Sequence, residues 1–307
     1  MILSISAGPH LHASHDTRRL MLHVILSLIP CAACGIYLFG IRCALHLLIT
    51  VASSVGFEYL YRRLARKTVS VGDLSAVITG MLLALSIPAG APLWIGCLGS
   101  LFAIVIAKQL FGGLGHNFIN PALFARAVLL ASFPQDMTSF AFPIRTMFTG
   151  AADAVSSATV LNGSSASVLD LFLGNIAGCP GEVCKAAILI GFLVLALTGT
   201  IRWHIPVIVM GTLAGMSFLL GTDPLAACLS GSALFGAVFM ATDYVTSPML
   251  IKSQCIYAAF IGIVMALIRA FGSFPEGTTY AIMLANIITP LLDKYLKRRI
   301  YGEVKKA

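Results

Sequence analysis

Residues 20–40 read LMLHVILSLIPCAACGIYLFG. The run holds a histidine and a serine but no Asp, Glu, Lys or Arg. A helix rises about 1.5 Å per residue, so about 20 apolar residues cross a hydrocarbon core of about 30 Å. The stretch therefore reads as a membrane-spanning helix. Pro30 sits inside it, which lipid-embedded helices tolerate better than soluble ones.

The rest of the chain repeats the pattern. Of 307 residues, 58% are hydrophobic and only 10% are charged, with a mean hydropathy of +0.94. Soluble domains carry about 25% charged residues. The apolar runs are continuous, whereas the strands of a membrane β-barrel alternate apolar and polar residues. The expected fold is an all-α polytopic membrane protein with about ten transmembrane helices, some broken by Gly or Pro. The runs lie near 20–40, 43–60, 73–89, 91–109, 120–133, 184–201, 204–221, 226–241, 254–271 and 277–293. They divide the chain into an N-terminal arm (1–19), a first membrane half (20–133), a long connection (134–182), a second membrane half (183–293) and a basic tail (294–307).

A net charge of +8 could attract nucleic acid, but its placement points to a lipid bilayer instead. Arg18 and Arg19 precede the first run. Arg62, Arg63, Arg66 and Lys67 follow the second. Lys108 ends the fourth, Arg202 follows the sixth and Lys252 the eighth. Lys294, Lys297, Arg298, Arg299, Lys305 and Lys306 follow the tenth. With ten spans these sites share one face, and the opposite connections PAGAP, GTDP and SFPEGTT carry no Lys or Arg. That asymmetry marks the cytoplasmic side. It places both termini in the cytoplasm and residues 134–182 outside, in the inner membrane of a bacterial cell, with no nucleic-acid partner.

Two interruptions mix Gly, Asn, Asp, Ser, Thr and Pro: GGLGHNFINPALFAR at 112–126 and FMATDYVTSPM at 239–249. Broken helices expose backbone groups that lipid cannot satisfy, so they line cavities or bind something. Ordinary helix ends with proline stops explain them equally well. Their placement after the fourth and eighth runs is compatible with an internal duplication. Among ionisable residues near membrane depth, Glu58 reads as an interfacial ion pair with the basic YRRLARK end of its span. Asp243, inside a Pro-broken stretch, reads as functional. The eight cysteines form no compact four-Cys run for an iron–sulfur cluster, and Cys179 and Cys184 allow a disulfide in an oxidising compartment. On these features alone a secondary transporter, or a structural subunit without a cofactor, fits as well as a redox protein.

Four stretches together carry a resemblance. PHLHASHDTRRLMLHVILSLIPCAACGIYLFG at 9–40, GHNFINPALFARAVLLASFP at 115–134, DAVSSAT at 153–159 and FGAVFMATDYVTSP at 235–248 resemble, in order, the motifs of the RnfD/NqrB family. The resemblance leans to the shorter RnfD side, the D subunits of Rnf-type ion-translocating electron-transport complexes. It implies FMN joined through its phosphate to Thr159, making the chain a phosphoprotein, with Asp153, Ser156, Ser157 and Ala158 as the other motif positions. A separate flavin transferase places the FMN. The family often has Gly where this chain has Ser157 and Pro where it has Val160.

The resemblance further implies other membrane subunits as partners and a second, non-covalent flavin such as riboflavin. Asn117, Asn120, Pro121, Arg126, Asp243 and Ser247 are the candidates for flavin or redox-partner contacts. No catalytic residue and no metal are expected. The implied function is an electron relay coupled to Na⁺ or H⁺ translocation, in a subunit inactive alone.

Overall fold

The computed structural model describes residues 17–68, 71–140, 143, 168–272 and 277–296. Among the described residues every regular element is helical. The motif positions Asp153, Ser156, Ser157, Ala158 and Thr159 lie outside the described residues.

Residues 17–133, read above as the first membrane half, hold α1 (Thr17–Phe39), α2 (Ile41–Leu64), α3 (Ser75–Leu85), α4 (Leu93–Leu101) and α5 (Pro121–Ser132). The connection contributes α6 (Pro134–Thr138), α7 (Val168–Leu173) and α8 (Pro180–Val183). The second half holds α9 (Lys185–Leu197), α10 (His204–Leu219), α11 (Pro224–Leu229), α12 (Ala233–Phe235), α13 (Ile251–Phe271) and α14 (Thr278–Tyr295). Gly40, at φ +72°, turns α1 into α2 with no further linker; that conformation costs a residue with a Cβ far more than it costs glycine.

Among the described residues three helices are long and apolar enough to cross a membrane: Thr17–Phe39, Ile41–Leu64 and Ile251–Phe271. Each of the expected ten runs contains helix, but ten full spans are not seen, and most runs make shorter pieces. Ser75–Leu85, Leu93–Gln109, Pro121–Ser132, Lys185–Leu197 and His204–Leu219 are apolar helices of 10–17 residues. The run at 226–241 departs most, because it splits into α11, α12 and a π-helical turn. The physical reason is packing. α3 buries ten of its eleven residues, so an apolar run there reports a protein interior, not a length of lipid contact.

One continuous core gathers α1, α3, α4, α5, α9, α10, α12, α13 and α14. Small residues set the close crossings. A Cβ on Gly191 would strike the Ser27 carbonyl and Phe239, and one on Gly262 would strike Thr212, as expected where lipid gives helices no hydrophobic drive to associate. The described parts of the connection pack onto this body: Leu171, Ile176 and Cys179 are buried.

Asn120 and Pro121 start α5. The Asn120 carboxamide oxygen accepts from the amides of Ala122 (3.0 Å) and Leu123 (3.4 Å), and Pro121 needs no donor at the first helical position. Asn120→Ala is expected to cost about 1 kcal/mol. Differential scanning fluorimetry of the detergent-solubilised chain should show a midpoint about 2 °C lower, with Asn120→Ser close to wild type.

Two charges expected at the interface lie inside. Lys108 is 2% exposed and Glu58 is fully buried. Lys108 therefore does not belong to the solvated basic face, and the principal partner of Glu58 is Lys108 on another helix, not the basic end of its own. Elsewhere, Lys185 donates to the carbonyls of Glu182 and Gly231. Arg269 donates to those of Ala227 (2.6 Å) and Ser230 (3.3 Å).

Candidate functional site

The two Pro-broken stretches share a design. α4 runs on into a π-helix, Phe102–Gln109, and α12 into another, Gly236–Met240. The wider i→i+5 bonding is explicit in Leu110 N–H to Val105 O (3.0 Å) and Ala241 N–H to Gly236 O (2.8 Å). π-turns recur where function needs a locally widened helix. Each is followed by a break, 110–120 and 241–250.

The breaks meet. The Asn120 amide group donates to the Met240 carbonyl at 3.5 Å. Between them lies a cavity of about 730 Å³ including its open mouth, walled by Ile78, Leu82, Leu195, Val238 and Phe239. Its polar wall is Asn117 and Asn120 from the first break, Thr242 and Asp243 from the second, and Ser75 with Lys108. Apolar walls with a few convergent polar groups suit a small organic ligand or cofactor. Asp243 accepts from the Thr246 hydroxyl (3.2 Å) and the Val245 amide (3.4 Å). Desolvation at this break pushes its carboxyl up from the ordinary range, while those two donors pull it back down. A proton therefore comes off this group at higher pH than off an exposed aspartate.

Behind the polar wall sits a buried network. Lys108 Nζ lies 2.9 Å from Glu58 Oε2 and donates to Ser75 Oγ at 2.6 Å. Gln109 Nε2 donates to Glu58 Oε1 at 3.0 Å. Ser75 Oγ donates to Asp73 Oδ1 at 2.6 Å. The cation lining the cavity is thus already matched by a carboxylate.

Of the residues singled out in the sequence, Asn117, Asn120, Pro121 and Asp243 come together on this cavity. Arg126 does not. It is 3% exposed and pairs with Glu182 at 2.6 Å, with Cys179 Sγ at 3.8 Å. Ser247 lies beyond the cavity wall, where its amide bonds the Asp243 carbonyl at 3.0 Å. Cys179 and Cys184 are both free thiols, and the described residues contain no cluster of three or more His, Cys, Asp or Glu able to hold a metal. Ser75 and Thr242 were not singled out, and Lys108 was read as a charge ending a span, not as a site residue. One signal could have found Lys108: opposite charges at the ends of two apolar runs, Glu58 and Lys108, are cheapest in a bilayer when paired.

Similarity to known proteins follows the whole chain. The D subunit of the Na⁺-translocating ferredoxin:NAD⁺ oxidoreductase complex of Acetobacterium woodii is 46% identical over 99% of this chain and 96% of that protein. The D subunit of the ion-translocating oxidoreductase complex of Cronobacter sakazakii is 37% identical over 98% of this chain and 99% of its own length. Its namesake in Escherichia coli O127:H6 is 36% identical over 99% and 100%. A model of the NQR2, RnfD, RnfE family matches residues 4–302. With this match from end to end, and with both of its motif-bearing breaks folded around a single cavity, the chain belongs to the NQR2, RnfD, RnfE family.

Proposed function

We propose that this chain is the D-type membrane subunit of an Rnf-type complex, carrying FMN on Thr159 and relaying electrons between partner subunits while Na⁺ or H⁺ crosses the membrane. The observation that carries the reading is the convergence of the two family motifs, 115–121 and 239–245, on one cavity. Bound flavin supplies the redox chemistry; the protein's part is to bind and tune it. The Thr159 hydroxyl is the acceptor for a phosphoester placed by a flavin transferase, and Ser156, Ser157 and Ala158 keep the approach to it uncrowded. In the cavity, the Asn117 and Asn120 carboxamides can donate to and accept from the polar edge of a second, non-covalent flavin such as riboflavin, against the flat apolar wall of Phe239.

The topology belongs to the same reading. About ten spans, one for each apolar run, put both termini, Arg62, Arg63 and Lys252 in the cytoplasm of a bacterial inner membrane. Residues 134–182, with Thr159, then face outward. The energetics are unremarkable: two electrons falling through about 100 mV release about 4.6 kcal/mol, and one charge moved against about 150 mV takes about 3.5 kcal/mol.

The test is direct. The chain is made with its host's transferase, denatured, separated on a gel and viewed under ultraviolet light. A fluorescent band is expected, lost in Thr159→Ala. A dark wild-type band beside a labelled control substrate rejects the covalent flavin.

A further inference from the structure

None of the eight cysteines lines the cavity. Cys31 and Cys43 are 1% and 2% exposed and fill space as small apolar side chains do. Cys34 and Cys184 differ. Both are partly exposed, and each packs against both of the larger apolar clusters of the fold.

Helix register brings them together. α1 and α9 pack side by side and run antiparallel. At one end His23 Nδ1 lies 3.1 Å from Thr200 Oγ1, just past α9. Further along, Gly191 crosses so close to α1 that a Cβ on it would strike the Ser27 carbonyl. Seven residues are about two helical turns. Seven beyond Ser27 on α1 stands Cys34, and seven back from Gly191 stands Cys184. The side chains follow the register: the Cys34 thiol is directed at the Cys184 sulfur. Cys179, the partner that the sequence allowed for Cys184, is 0% exposed and has its sulfur 3.8 Å from Arg126.

Cys184 also stands at a junction. It is the residue between α8 and α9, where the connection that carries Thr159 enters the second membrane half. Gly174, at φ +93° in that connection, comes so near that a Cβ on it would lie 3.3 Å from the Cys184 amide nitrogen and 3.2 Å from Leu38 of α1. Two residues before Cys184, Glu182 holds Arg126 of α5.

We propose that Cys34 and Cys184 are a redox-active dithiol, closed to a disulfide by a disulfide-class oxidant on the outer face, and that the bond ties the end of the connection to α1. The route of oxidation rests on the outward placement of residues 134–182. Cys184 is the attacking sulfur. It ends the connection, and the amides of Ala186 and Ala187 lie against it, at a helix end that favours negative charge. As a thiolate, its proton given to water, it displaces one sulfur of the oxidant and forms a mixed disulfide. The displaced sulfur takes up a proton. Cys34 then attacks the Cys184 sulfur, gives up its own proton and releases the second thiol. The chain loses two electrons and two protons, and the S–S bond of the oxidant becomes two thiols. An oxidising exterior keeps such a bond closed. Closed, it adds a covalent tie beside the Glu182–Arg126 pair; open, it leaves the junction to that pair and to packing.

The test uses the full chain in host cells stripped of their walls. They are first reduced, then given oxidised glutathione, which stays outside, or diamide, which crosses the membrane. Free thiols are blocked with a maleimide, and the unreduced digest is mapped by mass spectrometry. A linked Cys34–Cys184 peptide pair is expected with both oxidants. Cys34→Ser should leave Cys184 as its mixed disulfide with glutathione, and Cys184→Ser should leave Cys34 a free thiol. On reduction the oxidised, detergent-solubilised wild type should lose about 5 °C of thermal midpoint, and Cys34→Ser should lose nothing. No Cys34–Cys184 link with diamide, or a link from Cys184 to Cys31 or Cys179 in its place, overturns the dithiol. A link made by diamide alone overturns the outward placement and the route built on it, and a midpoint unmoved by reduction overturns the tie.

Discussion

Glu182→Ala is expected to cost about 3–5 kcal/mol and to leave little folded chain in the membrane. Glu182 and Arg126 are each nearly sealed from solvent, and their 2.6 Å contact joins α8 to α5. Deleting the carboxylate leaves a guanidinium, ionised at any accessible pH, buried without its counter-charge. Removing both charges should do less harm than removing one, since a buried pair and a well-packed apolar pair of similar size are often nearly equal in free energy. Arg126→Met with Glu182→Leu should therefore recover most of the yield lost by Glu182→Ala. The measurement is the amount of monodisperse chain after detergent extraction, read by size-exclusion chromatography. Equal yields for wild type and Glu182→Ala would show that the pair contributes nothing.

Glu58→Ala should be comparably severe, for a related reason. It strips Lys108 of its carboxylate and Gln109 of its acceptor together, inside a wall of the cavity. A loss of about 3–5 kcal/mol is expected, and ligand binding in the cavity should weaken with it because Lys108 and Ser75 shift. Arg62→Ala supplies the contrast. Arg62 also faces Glu58, but at 3.7 Å and with 12% of its side chain exposed; without it Glu58 keeps Lys108 and Gln109, and the expected change is about 1 kcal/mol or less. Thermal midpoints of the three purified proteins, with and without added riboflavin, separate the cases.

These charges show what could be read in the chain and what could not. Glu58, Lys108 and Arg126 were visible as charges in apolar runs, and their cost in a bilayer makes pairing compulsory. The partner in each case lies 50 or 56 residues away, and no helical period links positions so far apart. Helix ends were more legible, because their rules are local: Asn120 before Pro121 and Asp223 before Pro224 cap the helices they precede. The long connection was legible only as composition and motif.

By itself the sequence determined that the protein is helical and lives in lipid, because hydropathy over 20 residues is a local property and decides the solvent of a segment. It also carried the four motifs, because side-chain identities survive without geometry. Which apolar runs become full-length helices was left to the tertiary structure, since α3 and α5 find their apolar surroundings in neighbouring helices and need not reach across the bilayer. So was the meeting of the two breaks. Asn120 and Met240 are 120 residues apart, and only the packing of α3, α5, α9 and the two π-helical turns brings their backbones into one cavity.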